Sequence, residues 1–323
     1  MELVFCGLTT RLGRIVETAA ELSSRYSGGK DDPTAATGIT RLHRFSDDED
    51  HVGVSASVAL EAIENAGLLL ADVGGIVATS NFTHATLTPT FGPVVAERMG
   101  LSLVRAATVG TGCGGLAQAV EHAAAMMTSP IIGWPEDKVF VVLAADRYSA
   151  HVDPTDYKTR YLFSDGAAAF VLHKRNSVAG DIVLTRVAST SLAVSSPLSS
   201  LSLGNAAFGA DRFFRMETAA VARFTRAVPD LARRMLGLAD WTGVAIIPHQ
   251  ANVRLLDRMR DAMAGAASFY ATGIATVGNT LNASTLFGLE DALRLGTLGG
   301  RDIVLIPFGA EWVVGTIRLT LRS

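Results

Sequence analysis

The chain has 323 residues, 49% of them hydrophobic, and a mean hydropathy of +0.30, which is ample for a large core built as two domains or one duplicated unit. A formal net charge of −3 argues against nucleic acid or an anionic membrane surface as the main partner. Two cysteines, Cys6 and Cys113, are too few for a disulfide framework and fit a reducing compartment.

In chain order, Met1-Glu2-Leu3 lacks a basic region followed by a long apolar run, and no apolar stretch reaches membrane-spanning length uninterrupted, so a cytoplasmic protein is expected. Leu3 to Leu8 reads as a first strand, with Cys6 in its core. Residues 21 to 53 read as a polar surface excursion whose acidic run, Asp47-Asp48-Glu49-Asp50, is a solvated loop. Ser55 to Ala66 has the helical spacing Val58, Ala59, Ala62, Ile63, Ala66, with Gly67 as its stop. Gly75 to Thr79 is a short strand, and Gly92 to Met99 a helix ending at Gly100. Leu103 to Val109 reads as a buried strand, followed by a helix on which Leu116, Val120, Ala123 and Met127 share a face. The apolar run Val139 to Ala145 marks a strand buried on both faces of a parallel-type sheet.

Asp165-Gly166 turns into the strand Ala167 to Leu172, after which the alternation repeats. Ile182 to Ala188 is a strand, and Glu217 to Leu236 a long helix with a kink expected at Pro229. Val244 to Ile247 is a strand, Ala251 to Ala262 and Ser284 to Leu295 are helices, and Asp302 to Phe308 with Val313 to Leu321 close the chain as a strand pair. Residues 189 to 212, rich in Ser, Leu and Gly, read as a loop over a pocket. The result is an α/β protein with a duplicated core, divided into 1–174 and 175–323 without a linker.

Thr108-Val109-Gly110-Thr111-Gly112-Cys113-Gly114-Gly115-Leu116 puts a thiol at a strand-to-helix turn, where unpaired N–H groups and the helix dipole favour its thiolate. An isolated cysteine there can also be a small buried core residue. Gly110 to Gly115 fits the dinucleotide spacing G-x-G-x-x-G, yet no acidic residue follows in Met127 to Pro135, which argues against a nucleotide site. Pro248-His249-Gln250-Ala251-Asn252 sets a histidine at the end of an apolar strand, facing a pocket. Gly278-Asn279-Thr280 lies in a polar loop before a helix, and the turn Phe308-Gly309-Ala310-Glu311-Trp312 offers backbone N–H groups to the same space. His84 and His122 have no motif around them, and no spacing suggests a metal site.

Taken together, Cys113, the His249 motif and Gly278-Asn279-Thr280 match in order and spacing the catalytic motifs of the ketoacyl-ACP synthase III family. Thr37-Gly38-Ile39, Asp153-Pro154-Thr155-Asp156 and Ser164-Asp165-Gly166-Ala167 add to a resemblance that spans essentially the whole chain. The resemblance implies the thiolase fold, two βαβαβαββ halves in five αβαβα layers, as a homodimer. It implies phosphopantetheine-linked acyl thioesters on an acyl carrier protein, and no tightly bound cofactor. By the same resemblance Cys113 carries the acyl group, and His249 and Asn279 donate hydrogen bonds while a malonyl thioester loses carbon dioxide. The N–H groups of Cys113 and Ala310 would form the oxyanion hole, and Arg254 with Asn252 the mouth where the carrier docks.

The sequence also departs from the family. A Trp, and an Arg preceding Thr-Gly-Ile, grip coenzyme A in primary-metabolism members; here those positions hold Asp32 and Ala36. A second arginine is replaced by Tyr157, and Glu311 falls where a glycine is usual, as a candidate base for a hydroxyl or amine. The expected function is a condensing enzyme of polyketide or other secondary metabolism. The alternative is a tailoring acyltransferase that moves the acyl group from Cys113 to a small-molecule hydroxyl or amine. A non-catalytic partner subunit is a third reading, disfavoured by the retained Cys113.

Overall fold

In chain order the computed structural model has β1 (Glu2–Leu12), β2 (Ile15–Thr18), α1 (Ala19–Ser27), α2 (Pro33–Thr37), β3 (Arg41–Arg44), α3 (His51–Asn65), β4 (Val73–Thr79), α4 (Phe91–Arg98), β5 (Arg105–Val109), α5 (Gly115–Thr128), β6 (Val139–Asp146) and β7 (Gly166–Arg175). There follow β8 (Ile182–Ser191), β9 (Ser199–Leu201), β10 (Phe214–Met216), α6 (Thr218–Leu236), β11 (Val244–Pro248), α7 (Val253–Ala262), β12 (Ser268–Phe269), α8 (Ile274–Val277), α9 (Ser284–Leu295), β13 (Asp302–Ile306), β14 (Phe308–Gly309) and β15 (Val313–Leu321). The structure describes all residues except 31, 82–88, 111, 155, 158, 194–198, 202–213, 217, 272, 299–301 and 310–311, and the side chains of 36, 199–201, 214–216 and 218–220.

One hydrogen-bonded path runs β12-β11-β13-β15-β8-β1-β7-β6-β4-β5. Each end of it repeats the other. Counted within β1, β4, β5, β6 and β7, the spatial order is third, second, fourth, fifth, first, and β8, β11, β12, β13 and β15 lie in that same order. In both sets the second strand is parallel to the third and fourth, and the fifth is antiparallel to the fourth and first. The two first strands, β1 and β8, pair antiparallel and join the sets.

Alternating side chains sort these strands between layers. Val139, Val141, Leu143 and Ala145 of β6 pack towards α3 and α4, while Phe140, Val142 and Ala144 pack towards α5 and α9. The same central helices cover Ala245, Ile247, Ile303 and Leu305 from the second set, whose opposite face, with Val244, Ile246 and Val304, packs on α6 and α7. Helices, sheet, helices, sheet and helices thus form the expected five layers. Both faces of the sheet are covered, which is why β6 is buried along its whole length. Among the described residues no helix is long and apolar enough to cross a membrane.

Several expectations need correction. The strand before Cys113 is not buried: β5 is the last strand of the path, half-covered, and Leu103 just before it is 97% exposed. The polar excursion 21–53 is structured: it contains most of α1, all of α2, and β3 paired with β2. Its acidic run is only partly solvated. Glu49 is buried and accepts the backbone N–H groups of Arg14 and Ser46. Asp50 caps α3 through the Gly53 N–H at 2.9 Å, so that helix begins four residues before the expected Ser55. In the expected loop 189–212, β8 continues to Ser191 and β9 pairs with β10; much of the remainder lies outside the described residues.

Candidate active site

Cys113 stands between β5 and α5, two residues before the first helical position, where the leading N–H groups have no intrahelical acceptor. It is half-buried and packs on a cluster that includes Tyr148, Phe163 and Leu281. Tyr148 is itself buried, with its ring centroid 4.5 Å from that of Phe163. Burial, then the charges of Cys113 and Asp146, push the Tyr148 phenol well above its ordinary pKa and keep it protonated.

His249 directly follows β11, and its backbone N–H continues the sheet pairing to the Ile306 carbonyl at 3.0 Å. The side chain is buried, and burial lowers its pKa from 6.5 to about 4, against the opposing effect of a Leu281 backbone hydrogen bond. The ring is therefore neutral near pH 7. Ser284 Oγ, at the start of α9, lies 2.8 Å from His249 Nδ1 and accepts the Gln250 N–H, also at 2.8 Å.

Strand β14 joins these two residues. The Phe308 ring stands edge-on to the His249 imidazole, with centroids 5.3 Å apart and an interplanar angle of 83°. Its neighbour Gly309 lies so close to Cys113 that a Cβ there would fall 2.5 Å from the Cys113 Cβ and 2.9 Å from its backbone nitrogen. Glycine is required by that approach.

Asn279 reaches the same region from the loop between α8 and α9. Its backbone N–H donates to Leu162 O at 3.0 Å, and its carbonyl accepts from Ser164 N–H at 2.9 Å, splicing it to the Ser164-Asp165-Gly166 segment. Gly278 before it has φ +73°, and a Cβ would meet Ser164 Oγ at 2.4 Å. The Asn279 Oδ1 accepts the Leu281 N–H at 3.0 Å. That bond fixes which end of the amide is oxygen, and turns the two N–H donors of Nδ2 elsewhere. Leu281 holds a left-handed φ of 50°, a backbone strain of the kind that gathers at functional sites.

Sequence reasoning missed the residues that anchor this turn. Asn282 donates its backbone and side-chain N–H groups to Asp146 at 3.1 and 3.0 Å, and its Oδ1 accepts from Thr79 Oγ1 at 3.1 Å. Asp146 also accepts the Asn81 N–H at 2.7 Å. Full burial raises the Asp146 pKa to about 7, while those three N–H donors restrain the rise. A charged residue ending the apolar run Val139 to Ala145 was the available signal.

Of the remaining predicted residues, Asn252 caps α7, accepting the Leu255 N–H at 3.0 Å. Arg254 is exposed and reaches the Ala35 carbonyl, at 3.4 Å, linking α7 to α2. Asp32 caps α2 through the Ala35 N–H at 3.0 Å. Tyr157 is 45% exposed, edge-on to Tyr161. Ala310 and Glu311 lie outside the described residues, as does His84.

Comparison with known proteins shows the family. Residues 108–191 match the family model of 3-oxoacyl-[acyl-carrier-protein (ACP)] synthase III, and residues 240–321 match the model of its C-terminal part. The chain belongs to the ketoacyl-ACP synthase III family. The two matched segments contain Cys113, His249 and Asn279. Beta-ketoacyl-[acyl-carrier-protein] synthase III of Streptomyces glaucescens is 29% identical over 296 residues, 88% of this chain and 86% of that protein. The crystal structure of 3-oxoacyl-(acyl carrier protein) synthase III from Pseudomonas aeruginosa PAO1 superposes with a TM-score of 0.84 at 25% identity, covering 100% of this chain and 99% of that one. The priming β-ketosynthase of the R1128 polyketide pathway shares the fold, with a TM-score of 0.82 at 23% identity over 100% of this chain and 97% of that one.

Proposed function

We propose that this synthase III family member condenses an acyl group held on Cys113 with a malonyl-carrier thioester. The Cys113 thiolate attacks the acyl thioester carbonyl, the carrier thiol leaves, and the acyl group stays on sulfur. The malonyl thioester then loses carbon dioxide, and the N–H donors of His249 and Asn279 hold the resulting enolate oxygen. The enolate carbon attacks the acyl-Cys113 carbonyl, and the thiolate returns as the ketoacyl carrier leaves. Residues 1–174 would supply the nucleophile and 175–323 the two donors. The N–H groups of Cys113 and Ala310 are assigned to the oxyanion hole, and Arg254 with Asn252 to the carrier-facing mouth. No step calls for a tightly bound cofactor.

The observation that carries this reading is the fixed orientation of Asn279. With Oδ1 engaged by Leu281 N–H, the Nδ2 N–H groups are the donors the side chain can offer a ligand. An enolate oxygen needs such a donor. Transfer of the acyl group from Cys113 to a hydroxyl or amine does not, so the tailoring-acyltransferase alternative rests on Glu311 and on the altered coenzyme A grip at Asp32, Ala36 and Tyr157. Those same departures support a carrier-bound donor and a role in polyketide or other secondary metabolism. We also propose a homodimer closed at β5, one of the two ends of the sheet, where Leu103 is exposed; a monomer in sedimentation at micromolar concentration would refute it.

Intact-protein mass spectrometry tests the chemistry. Acyl-carrier should leave a Cys113-dependent adduct that malonyl-carrier discharges with release of carbon dioxide. An adduct that resists malonyl-carrier and yields to an alcohol or amine would establish the alternative. No adduct from any thioester would remove both.

A further inference from the structure

The proposed chemistry requires His249 to donate a hydrogen bond, and a neutral imidazole has only one N–H to give. Which nitrogen carries it is decided by the neighbours. Ser284 is 1% exposed, and its hydroxyl sits between the Gln250 backbone N–H and the His249 ring. The Gln250 backbone N–H can only donate, so at 2.8 Å it occupies a lone pair of Ser284 Oγ. The hydroxyl proton remains free to turn towards His249 Nδ1, also 2.8 Å away. Gln250 cannot drift from this position, because its side-chain Nε2 donates to the Pro248 and Tyr270 carbonyls at 2.8 and 3.2 Å.

We infer that Ser284 is a positioning residue that sets the tautomer of His249: its O–H donates to Nδ1, and the ring proton is thereby kept on Nε2. Gln250 N–H, Ser284 O–H and His249 Nε2–H then form a relay of donors running in one direction. The end of that relay is a donor for the thioester oxygen, not a lone pair. The competing arrangement has Nδ1–H directed to the second lone pair of Ser284 Oγ and Nε2 bare, and it would leave His249 a base. That form suits acyl transfer to a hydroxyl, so the tautomer bears directly on which reaction the site runs. The inference rests on the condensing reading only for its functional consequence; the tautomer itself is a property of the resting protein.

The test has two independent readouts. In the intact protein, nitrogen NMR of the His249 ring should show a protonated Nε2 and a bare Nδ1 at neutral pH. In Ser284→Ala that preference should be lost, and Ser284→Thr, which keeps a hydroxyl, should restore it. Functionally, Ser284→Ala should slow malonyl decarboxylation about 10- to 100-fold, within the effect of removing one oxyanion donor, while the rate of Cys113 acylation changes less than about threefold. Equal loss of both rates would indicate simple structural damage and overturn the positioning role. A wild-type ring protonated on Nδ1 would overturn the inference outright. A ring protonated on Nε2 in a protein that releases no carbon dioxide would leave the tautomer standing and reject the condensing function instead.

Discussion

The two halves of the sheet share one strand order but carry different chemistry at equivalent places. The third strand of the first set, β5, leads to Cys113 and α5; the third strand of the second set, β12, leads through α8 and Asn279 to α9. The two connected helices lie together in the central layer. The second strands behave likewise, β11 ending at His249 and β4 at Ser80 and Asn81, beside Asp146. Duplication therefore brings two sets of strand ends to one place, and in the proposed function one set holds the nucleophile and the other the donors. This is the partition that a two-step reaction needs, since each step can be built without disturbing the other.

The sharpest way to break the comparison is to disable each half separately. Cys113→Ala should form no acyl adduct. His249→Ala should still form it at near-normal rate, yet lose condensation by about 10²- to 10³-fold, as expected for removal of an oxyanion donor. Time-resolved mass spectrometry with acyl- and malonyl-carriers separates the two. If His249→Ala also abolished the adduct, the steps would not be partitioned.

The buried titratable groups of the two halves should oppose each other in stability. His249 has a pKa of about 4 in the fold against 6.5 ordinarily, so between those values the unfolded chain holds the extra proton and stability rises with pH. Asp146 stands at about 7 against 3.8, so there the folded chain holds the extra proton and stability falls as pH rises. Each is worth about 3–4 kcal/mol across its window at 1.36 kcal/mol per unit. Urea unfolding from pH 4 to pH 7 should therefore show His249→Gln losing stability relative to wild type as pH rises, and Asp146→Asn gaining it. Parallel slopes in the two variants would refute the assignment.

Where the halves touch, one atom should matter. Gly309→Ala places a Cβ 2.5 Å from the Cys113 Cβ, and either β14 or the nucleophile must move. A displacement approaching 1 Å at a reacting group costs about 10²-fold. Acylation by acyl-carrier should fall by roughly that factor, with about 1–3 kcal/mol of stability lost to the overpacked contact, and an unchanged rate would mean that β14 yields instead.

Much of this was legible in the sequence because both regular packing and chemistry leave local marks. The unbroken apolar run of β6 and the helical spacing of α5 and α9 reflect burial directly. Cys113, His249 and Asn279 stand at strand or loop ends, flanked by glycine, proline and polar residues. The residues that position them left weaker marks. Ser284 and Asn282 are ordinary polar residues at a helix start, and only folding shows one reaching the His249 ring and the other Asp146. Leu103 misled for the opposite reason: an apolar residue next to a strand implies burial only if the sheet continues past it, and at β5 it stops.

The smallest expected effect concerns a departure from the family motif that first suggested altered substrate binding. Asp32 stands where the family resemblance leads one to expect a coenzyme A-stacking tryptophan, yet its carboxylate is engaged with the Ala35 N–H at 3.0 Å, with Pro33 at the first position of α2. The helix then turns at Gly38, whose left-handed φ of 76° brings it against Val253 at the start of α7. Asp32 thus shapes a short helix that abuts α7, the helix carrying Arg254. Removing an exposed cap costs about 1 kcal/mol, so Asp32→Ala should lower the melting temperature by no more than about 2–4 °C. Acylation from the carrier should be unaffected. A tenfold loss of carrier-dependent acylation with the same melting temperature would place Asp32 in the substrate path. It would also mean that this chain reads its thioester donor with a carboxylate where its relatives stack a ring.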